Sequence, residues 1–187
     1  KFIYQLVRPG ARAREYGDAL VWLQNAGLIY KVSLCQTPQV PLKSYEDLSI
    51  FKIYCLDVGL LRVLSEVSPE AYFNDNPAFK EFKGALAENY VLQSLTASGV
   101  KCSRYWASGN KAEVEFIIQE GLDIIPIEVK SGTSVTGKSL VEYNKKYSPK
   151  LRLRFSMLNM KKDDTFVNMP LFMADRAKEL IERLTCQ

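Results

Sequence analysis

Tyr16, Leu20 and Leu23 recur at helical spacing with Ala19 and Ala26 alongside, and Gly27 stands where a helix would stop. The pattern predicts a helix from about Arg12 to Ala26. Two β-rich runs follow, Leu28–Cys35 and Ile50–Leu56, joined by a polar connection through Pro38 and Pro41. A short helix is expected over Val58–Val67, and Ser68–Pro77, rich in Pro, Asn and Asp, reads as a linker. Beyond it, Phe79 to about Ser98 is apolar around most of its circumference, which predicts a buried helix. Ala85, Glu88, Leu92 and Leu95 share one stripe of that helix, so a carboxylate points into an otherwise apolar contact surface. Strands are then expected at Lys101–Ala107, Glu113–Ile118 and Ile124–Lys130, separated by turns at Ser108-Gly109-Asn110 and Glu120-Gly121. A helix over Lys138–Tyr147, strands at Leu151–Met157 and around Met169–Met173, and a helix over Asp175–Leu184 complete the pattern.

The order is a helix and hairpin, then α-β-β-β-α-β followed by β-α: an α/β (α+β) chain in two parts, 1–75 and 76–187. A helix followed by a long-looped hairpin is what the recognition helix and wing of a winged-helix domain give, so 1–75 is expected to be a partial winged-helix-like segment with its linker. At 187 residues and 47% hydrophobic content, the chain has material for one substantial core or two small ones. It opens at Lys1 with a helical pattern inside the first fifteen residues, and the expectation is an excised piece of a longer protein. No apolar run approaches the ~18–20 residues needed to span a bilayer, and no basic-then-apolar leader is visible. A cytoplasmic protein without membrane contact is expected.

The residue types narrow the chemistry. With no histidine, every Ser-His-Asp or Cys-His nucleophile and every imidazole metal ligand is excluded. Cys35, Cys55, Cys102 and Cys186 are isolated from one another and match no zinc spacing. Carboxylates, lysines and hydroxyls remain. Residues 1–75 carry eight basic and eight acidic side chains and balance, which argues against a strongly DNA-binding first segment. From Lys130 to Lys162 nine basic residues face a single acid, Glu142, an excess that attracts a polyanion or simply forms a solvated face.

Side chains alternate faces along a strand, so in Ile124–Lys130 the residues Ile125, Ile127 and Val129 face one side while Glu128 and Lys130 share the other. On the preceding strand the same rule groups Glu113, Glu115 and Ile117 against Val114, Phe116 and Ile118. If the two strands pair with their polar faces aligned, Glu115, Glu128 and Lys130 meet, with Glu88 approaching from the packed helix. Three carboxylates around one point repel unless a cation joins them, and oxygen-only ligands suit Mg²⁺ or Mn²⁺. A lysine beside such a metal activates or orients a water for attack on a phosphodiester. The bland alternative is a structural ion pair of Glu128 and Lys130, with Glu88 paired to Tyr105 or Arg104.

Helix residue Glu88, the strand pattern Glu113-Val114-Glu115-Phe116, and Ile127-Glu128-Val129-Lys130-Ser131-Gly132 resemble the PD-(D/E)xK nuclease fold. More narrowly, GALAENYVLQSL, RYWASGNKAEVEF and IPIEVKSG, preceded by WLQNAGLI and KIYCLDVGLL, resemble the domain of unknown function that follows the ATPase module in many prokaryotic AAA-type proteins. The resemblance implies, for 76–187, a nuclease-like mixed sheet flanked by helices. It also implies catalytic positions at Glu88, Glu115, Glu128 and Lys130, metal ligands at Glu88, Glu115 and Glu128, and an ATPase module of the same protein as partner. The family usually has Asp where Glu115 stands, so the side chain here is one methylene longer.

Gly132–Ser139 also matches G-x-x-x-x-G-K-[ST] and lies between a strand and a helix. Only 48 residues follow Ser139, too few for the sheet of a P-loop NTPase, and the next strand runs into Leu158-Asn159-Met160 rather than an acidic magnesium ligand. No ATP is therefore expected on this part of the protein. Three functions stay open: an accessory domain of an ATPase contacting DNA through Lys130–Lys162 or a protein partner, its nuclease-like site altered or inactive; an active Mg²⁺-dependent DNA endonuclease; and a structural module through which the protein forms homo-oligomers.

Overall fold

The computed structural model describes residues 3–10, 12–68, 79–109, 111–133 and 136–185. The linker beyond Ser68, Asn110 of the expected turn, Ser134 and Val135 of the P-loop-like stretch, and Cys186 lie outside the described residues. Among those described, the helices are α1 (Tyr4–Val7), α2 (Ala13–Asn25), α3 (Val58–Leu64), α4 (Lys80–Ala97), α5 (Lys138–Tyr147) and α6 (Ala177–Thr185). The strands are β1 (Ile29–Leu34), β2 (Asp47–Cys55), β3 (Arg104–Ala107), β4 (Glu113–Glu120), β5 (Asp123–Val129), β6 (Arg152–Ser156), β7 (Lys161–Asp163) and β8 (Phe166–Pro170). They form one mixed sheet in the order β2-β1-β3-β4-β5-β6-β8-β7. The α/β expectation holds, as a mixed sheet flanked by helices.

Helices cover both faces of the sheet. Val91, Leu92 and Leu95 of α4 and Ile181 of α6 pack on Phe116, Ile127 and Phe155 on one side, while Leu140 and Tyr143 of α5 pack on Trp106, Val114 and Ile117 on the other. Burial on both faces explains why the central strands read as nearly continuous apolar runs. On the α5 side the Trp106 indole meets Tyr143 edge-on at 5.1 Å and donates its N–H to the Gln36 carbonyl at 3.2 Å, so the polar end of the buried ring is satisfied.

The β1–β2 hairpin is joined to the rest of the sheet rather than standing apart. β1 runs parallel to β3, the Ser33 and Cys35 amides donating to the Ser103 and Tyr105 carbonyls at 2.9 and 2.8 Å. From α4, buried Asn89 accepts from the Cys55 amide at 2.9 Å and donates to the Cys55 carbonyl at 3.1 Å, and Gln93 accepts from the Val58 amide at 2.8 Å. Asp57 caps α3 by accepting from the Leu60 amide at 2.7 Å.

Several features depart from the sequence reading, among them the unexpected strand β7. The strand expected around Met169–Met173 lies at Phe166–Pro170, because Pro170 ends the ladder and Leu171–Arg176 winds into a 3₁₀ turn. Ala85 is exposed and Glu88 half-buried, so of the expected stripe only Leu92 and Leu95 are buried. The grouping of Glu113, Glu115 and Ile117 on one face of β4 is overturned: Val114 and Ile117 share the α5 side, and Phe116 and Ile118 the α4 side. The pairing shows why. Arg104 pairs with Ile117 and Trp106 with Val114, so three steps of β4 match two of β3, and Glu115 and Phe116 stand together opposite Tyr105. That β-bulge resets the alternation at Glu115.

Candidate functional site

The bulge and the antiparallel β4–β5 ladder place Glu115 where the two strands part. Their last pair is Phe116 with Ile127, and in place of a further ladder bond the Glu115 Oε2 accepts from the Val129 amide at 3.1 Å. The side chain thus lies across the strand gap. Glu128, on the α5 side of β5, is fully buried opposite its parallel neighbour Arg154 of β6, whose Nε donates to its Oε2 at 2.8 Å. Lys130 follows one residue past β5 and lies on the same face. Its Nζ stands 3.6 Å from Glu115 Oε1 and 3.5 Å from Glu128 Oε1, bridging the two carboxylates at distances longer than a good hydrogen bond. Glu128 Oε1 is buried and has no hydrogen-bond partner.

Glu88 approaches from α4 on the other side of the sheet. Its Oε2 accepts from the Tyr54 hydroxyl at 2.8 Å and lies 3.8 Å from Lys52 Nζ, which also contacts Glu113 Oε1 at 2.6 Å. The partners of Glu88 are therefore Tyr54 and Lys52, and not the Tyr105 or Arg104 weighed from the sequence. Burial works against the Lys52 charge, but Glu88 and Glu113 outweigh it and raise its proton affinity. Burial and the adjoining Glu88 push the Tyr54 hydroxyl well above its ordinary value, so it stays a donor.

Glu115 is the perturbed acid of the cluster. Burial pushes its pKa up to about 7, with Lys130 pulling it down and Glu88 adding to the rise. The structure thus brings together Glu115, Glu128 and Lys130, and sets Glu88 close enough to Glu115 to be felt electrostatically. Sequence reasoning missed Arg154, Lys52 and Tyr54. For Arg154 the signal was present in Leu151-Arg152-Leu153-Arg154-Phe155, where strict alternation puts both arginines on one face of an otherwise buried strand.

A divalent ion shared by the carboxylates would need their oxygens free. Here Glu128 Oε2 is bound to Arg154, Lys130 bridges Glu115 and Glu128, and Glu88 is committed to Tyr54 and Lys52. Among the described residues no three Asp, Glu or Cys side chains are grouped to hold a metal ion. As placed, the residues fit a set of ion pairs in which Lys52, Lys130 and Arg154 face Glu88, Glu113, Glu115 and Glu128.

The basic stretch is likewise partly neutralised within the fold. Lys145 pairs with Glu142, Lys150 with Asp123, Lys161 with Asp163, and Arg154 with Glu128, while Lys146 donates to Ser108 and lies over the Trp106 ring. No helix among the described residues is long and apolar enough to cross a membrane.

Residues 83–172, which hold Glu88, Glu115, Glu128, Lys130 and Arg154, match a family described as a domain of unknown function, DUF4143. Residues 1–71 match a second one, DUF8612, also a domain of unknown function. Comparison with curated proteins and with solved structures gave no match.

Proposed function

We propose that the chain is an accessory, non-ATP-hydrolysing part of an AAA-type ATPase, engaging DNA or a protein partner through a nuclease-like core whose carboxylate site has become a buried ion-pair cluster. The matched region of 83–172 is of a kind commonly found in AAA-ATPase-associated proteins, which supports the first half of this reading. The second half is carried by Glu128: wholly buried, it has one oxygen on Arg154 and the other facing Lys130. Charges of the chain itself neutralise the group that a metal would otherwise occupy.

The test is calorimetric titration of Mn²⁺ into the wild-type chain and into Glu128→Ala, with thermal unfolding of both. Breaking a buried pair and leaving Arg154 uncompensated is worth roughly 3–5 kcal/mol. The expected outcome is a flat Mn²⁺ titration for both proteins and a large loss of stability in the variant. Stoichiometric Mn²⁺ binding that Glu128→Ala abolishes would sink the reading.

A metal-dependent nuclease is the second reading, and one observation favours it: Glu128 Oε1 lacks a hydrogen-bond partner. Under that reading Glu115 and Glu128 hold Mg²⁺ or Mn²⁺ once Lys130 swings aside, and Lys130 orients the attacking water. Glu115→Asp, with the shorter side chain usual in the family, then raises Mn²⁺-dependent nicking of plasmid DNA. If neither wild type nor Glu115→Asp nicks the plasmid, this second reading is excluded.

A further inference from the structure

The 3₁₀ turn Leu171–Arg176 separates two open clefts, Leu171 lining one and Met173 the other. The first, of about 430 Å³, is walled by Val58, Leu86, Tyr90 and Leu171, with Arg62 at its edge. The second, of about 290 Å³, is walled by Met160, Met169, Met173 and Leu180, with Arg176, Glu179 and Arg183. Phe172 stands between them, 75% exposed. We propose that this surface docks an amphipathic helix of a partner protein, one that carries acidic side chains beside its apolar face. The surface lies on the α4 side of the sheet and Glu128 on the α5 side, so the proposal does not depend on what the carboxylate cluster does.

The residue types say what such a surface accepts. All four methionines of the chain fall between Met157 and Met173, and three of them line the second cleft. Met169 is buried, Met173 half-buried and Met160 exposed, so the wall runs from fixed core to free surface. Unbranched thioether side chains re-pack around whatever apolar group arrives, which suits a binding surface better than a rigid core. An exposed Phe flanked by two apolar clefts is more than the scattered apolar exposure of an ordinary surface. No strand can add here, because β8 already has β6 on one side and β7 on the other. Clefts bounded by α3, α4 and α6 take a helix laid along its apolar face.

Charge selects the flanks of that helix. Arg62 is exposed and unpaired among the described residues, and Arg176 has Asp175 no nearer than 4.0 Å. Glu179, the acid lining the second cleft, is taken by Arg183 at 2.6 Å. One arginine at each cleft therefore lacks a close partner. Carboxylates beside the apolar stripe of the incoming helix complement both, and a guanidinium at a rim can grip a carboxylate with two bonds. A nucleic acid would meet the arginines but leave Phe172 and the methionines uncovered, so a protein helix is the occupant that answers both features.

The test selects a displayed library of helical peptides on the whole chain and measures the enriched peptides by fluorescence anisotropy. Enriched peptides should carry apolar residues at i, i+3, i+4 and i+7 flanked by Asp or Glu. Phe172 and Arg176 are exposed, so Phe172→Ser and Arg176→Glu should keep the wild-type melting temperature while each weakens such a peptide roughly tenfold or more. With methyl-labelled methionine, the Met160 and Met173 signals should shift as peptide is added, and that of Met157, outside both clefts, should not. Failure of any peptide to enrich, enrichment of basic peptides, or affinities that both variants leave unchanged would overturn the proposal. Vesicles of phosphatidylcholine and phosphatidylserine, and sedimentation of the chain alone, cover the other occupants. Vesicle binding or a dimer that Phe172→Ser abolishes would give the surface to a membrane or a second copy, and would overturn the proposal equally.

Discussion

Replacing Glu115 by Gln should make the protein more stable at pH 8 and much less different from wild type at pH 5. The Glu115 pKa is raised in the folded chain from 4.5 to about 7, so between those values the native state holds a proton that the unfolded state has released. Stability therefore falls as pH rises through this window, is fully retained below pH 4.5, and levels off above pH 7, the reverse of the usual buried carboxylate paired with a cation. At about 1.36 kcal/mol per pH unit the whole effect has an upper limit of about 3 kcal/mol. The substituted glutamine stays neutral throughout and keeps an acceptor for the Val129 amide, so only the charge is removed. For a chain of this size the gain at pH 8 corresponds to a melting temperature higher by roughly 6–12 °C. Urea and thermal unfolding of both proteins at pH 5, 6, 7 and 8 measure it, and the difference between the two curves isolates Glu115 from every other titrating group. If the difference is independent of pH, or if wild type is the more stable at pH 8, the assignment of a proton to Glu115 is refuted.

Gly137→Ala places a methyl group against the Arg154 guanidinium, which Glu128 and Phe166 hold in place, and should cost about 1–3 kcal/mol by overpacking; a melting temperature equal to wild type would contradict the contact. Mg²⁺ should add nothing to any affinity for ATP, and a micromolar Mg-ATP titration lost on Lys138→Ala would show that the Gly132–Ser139 stretch works as a P-loop after all. DNA bound through the Lys130–Lys162 stretch should show no sequence preference and should weaken steeply between 50 and 200 mM salt, on the order of tenfold or more, since lysines and arginines there meet phosphates; duplexes of unrelated sequence titrated at two salt concentrations measure this, and tight salt-insensitive binding would be evidence of a different interface.

Local pattern carried a good deal of this structure. α5 is found at Lys138–Tyr147, the bounds that its spacing and flanking residues predict, and Ile125, Ile127 and Val129 face the core opposite Glu128 because nothing interrupts the two-residue period of β5. The shared face of Glu128 and Lys130 was legible for the same reason, whereas Glu115 reaches them across the strand gap beside the bulge. Glu113 was not: a single extra residue in β4 turns it toward Lys52, and a bulge leaves no trace in a count of alternating positions. Nor was the partner of Glu128, since β5 and β6 pair in parallel across the whole of α5 and no local signal specifies which residue of β6 arrives opposite. The short β7 escaped because three exposed residues, Lys161 to Asp163, have no apolar face to betray a strand.

The grip of Asn89 on Cys55 bears on how this sheet can meet other chains. β2 is an outermost strand, and both polar groups of its Cys55 backbone are taken by one side-chain amide, as a neighbouring strand would take them. At the opposite border β7 is three residues long and offers Lys161 and Lys162 to the solvent. An incoming strand finds one margin blocked at Cys55 by a side chain and the other too short and too charged to template it. Growth by strand addition, whether into fibres or onto a peptide, is thus discouraged at Cys55 of β2 and along β7.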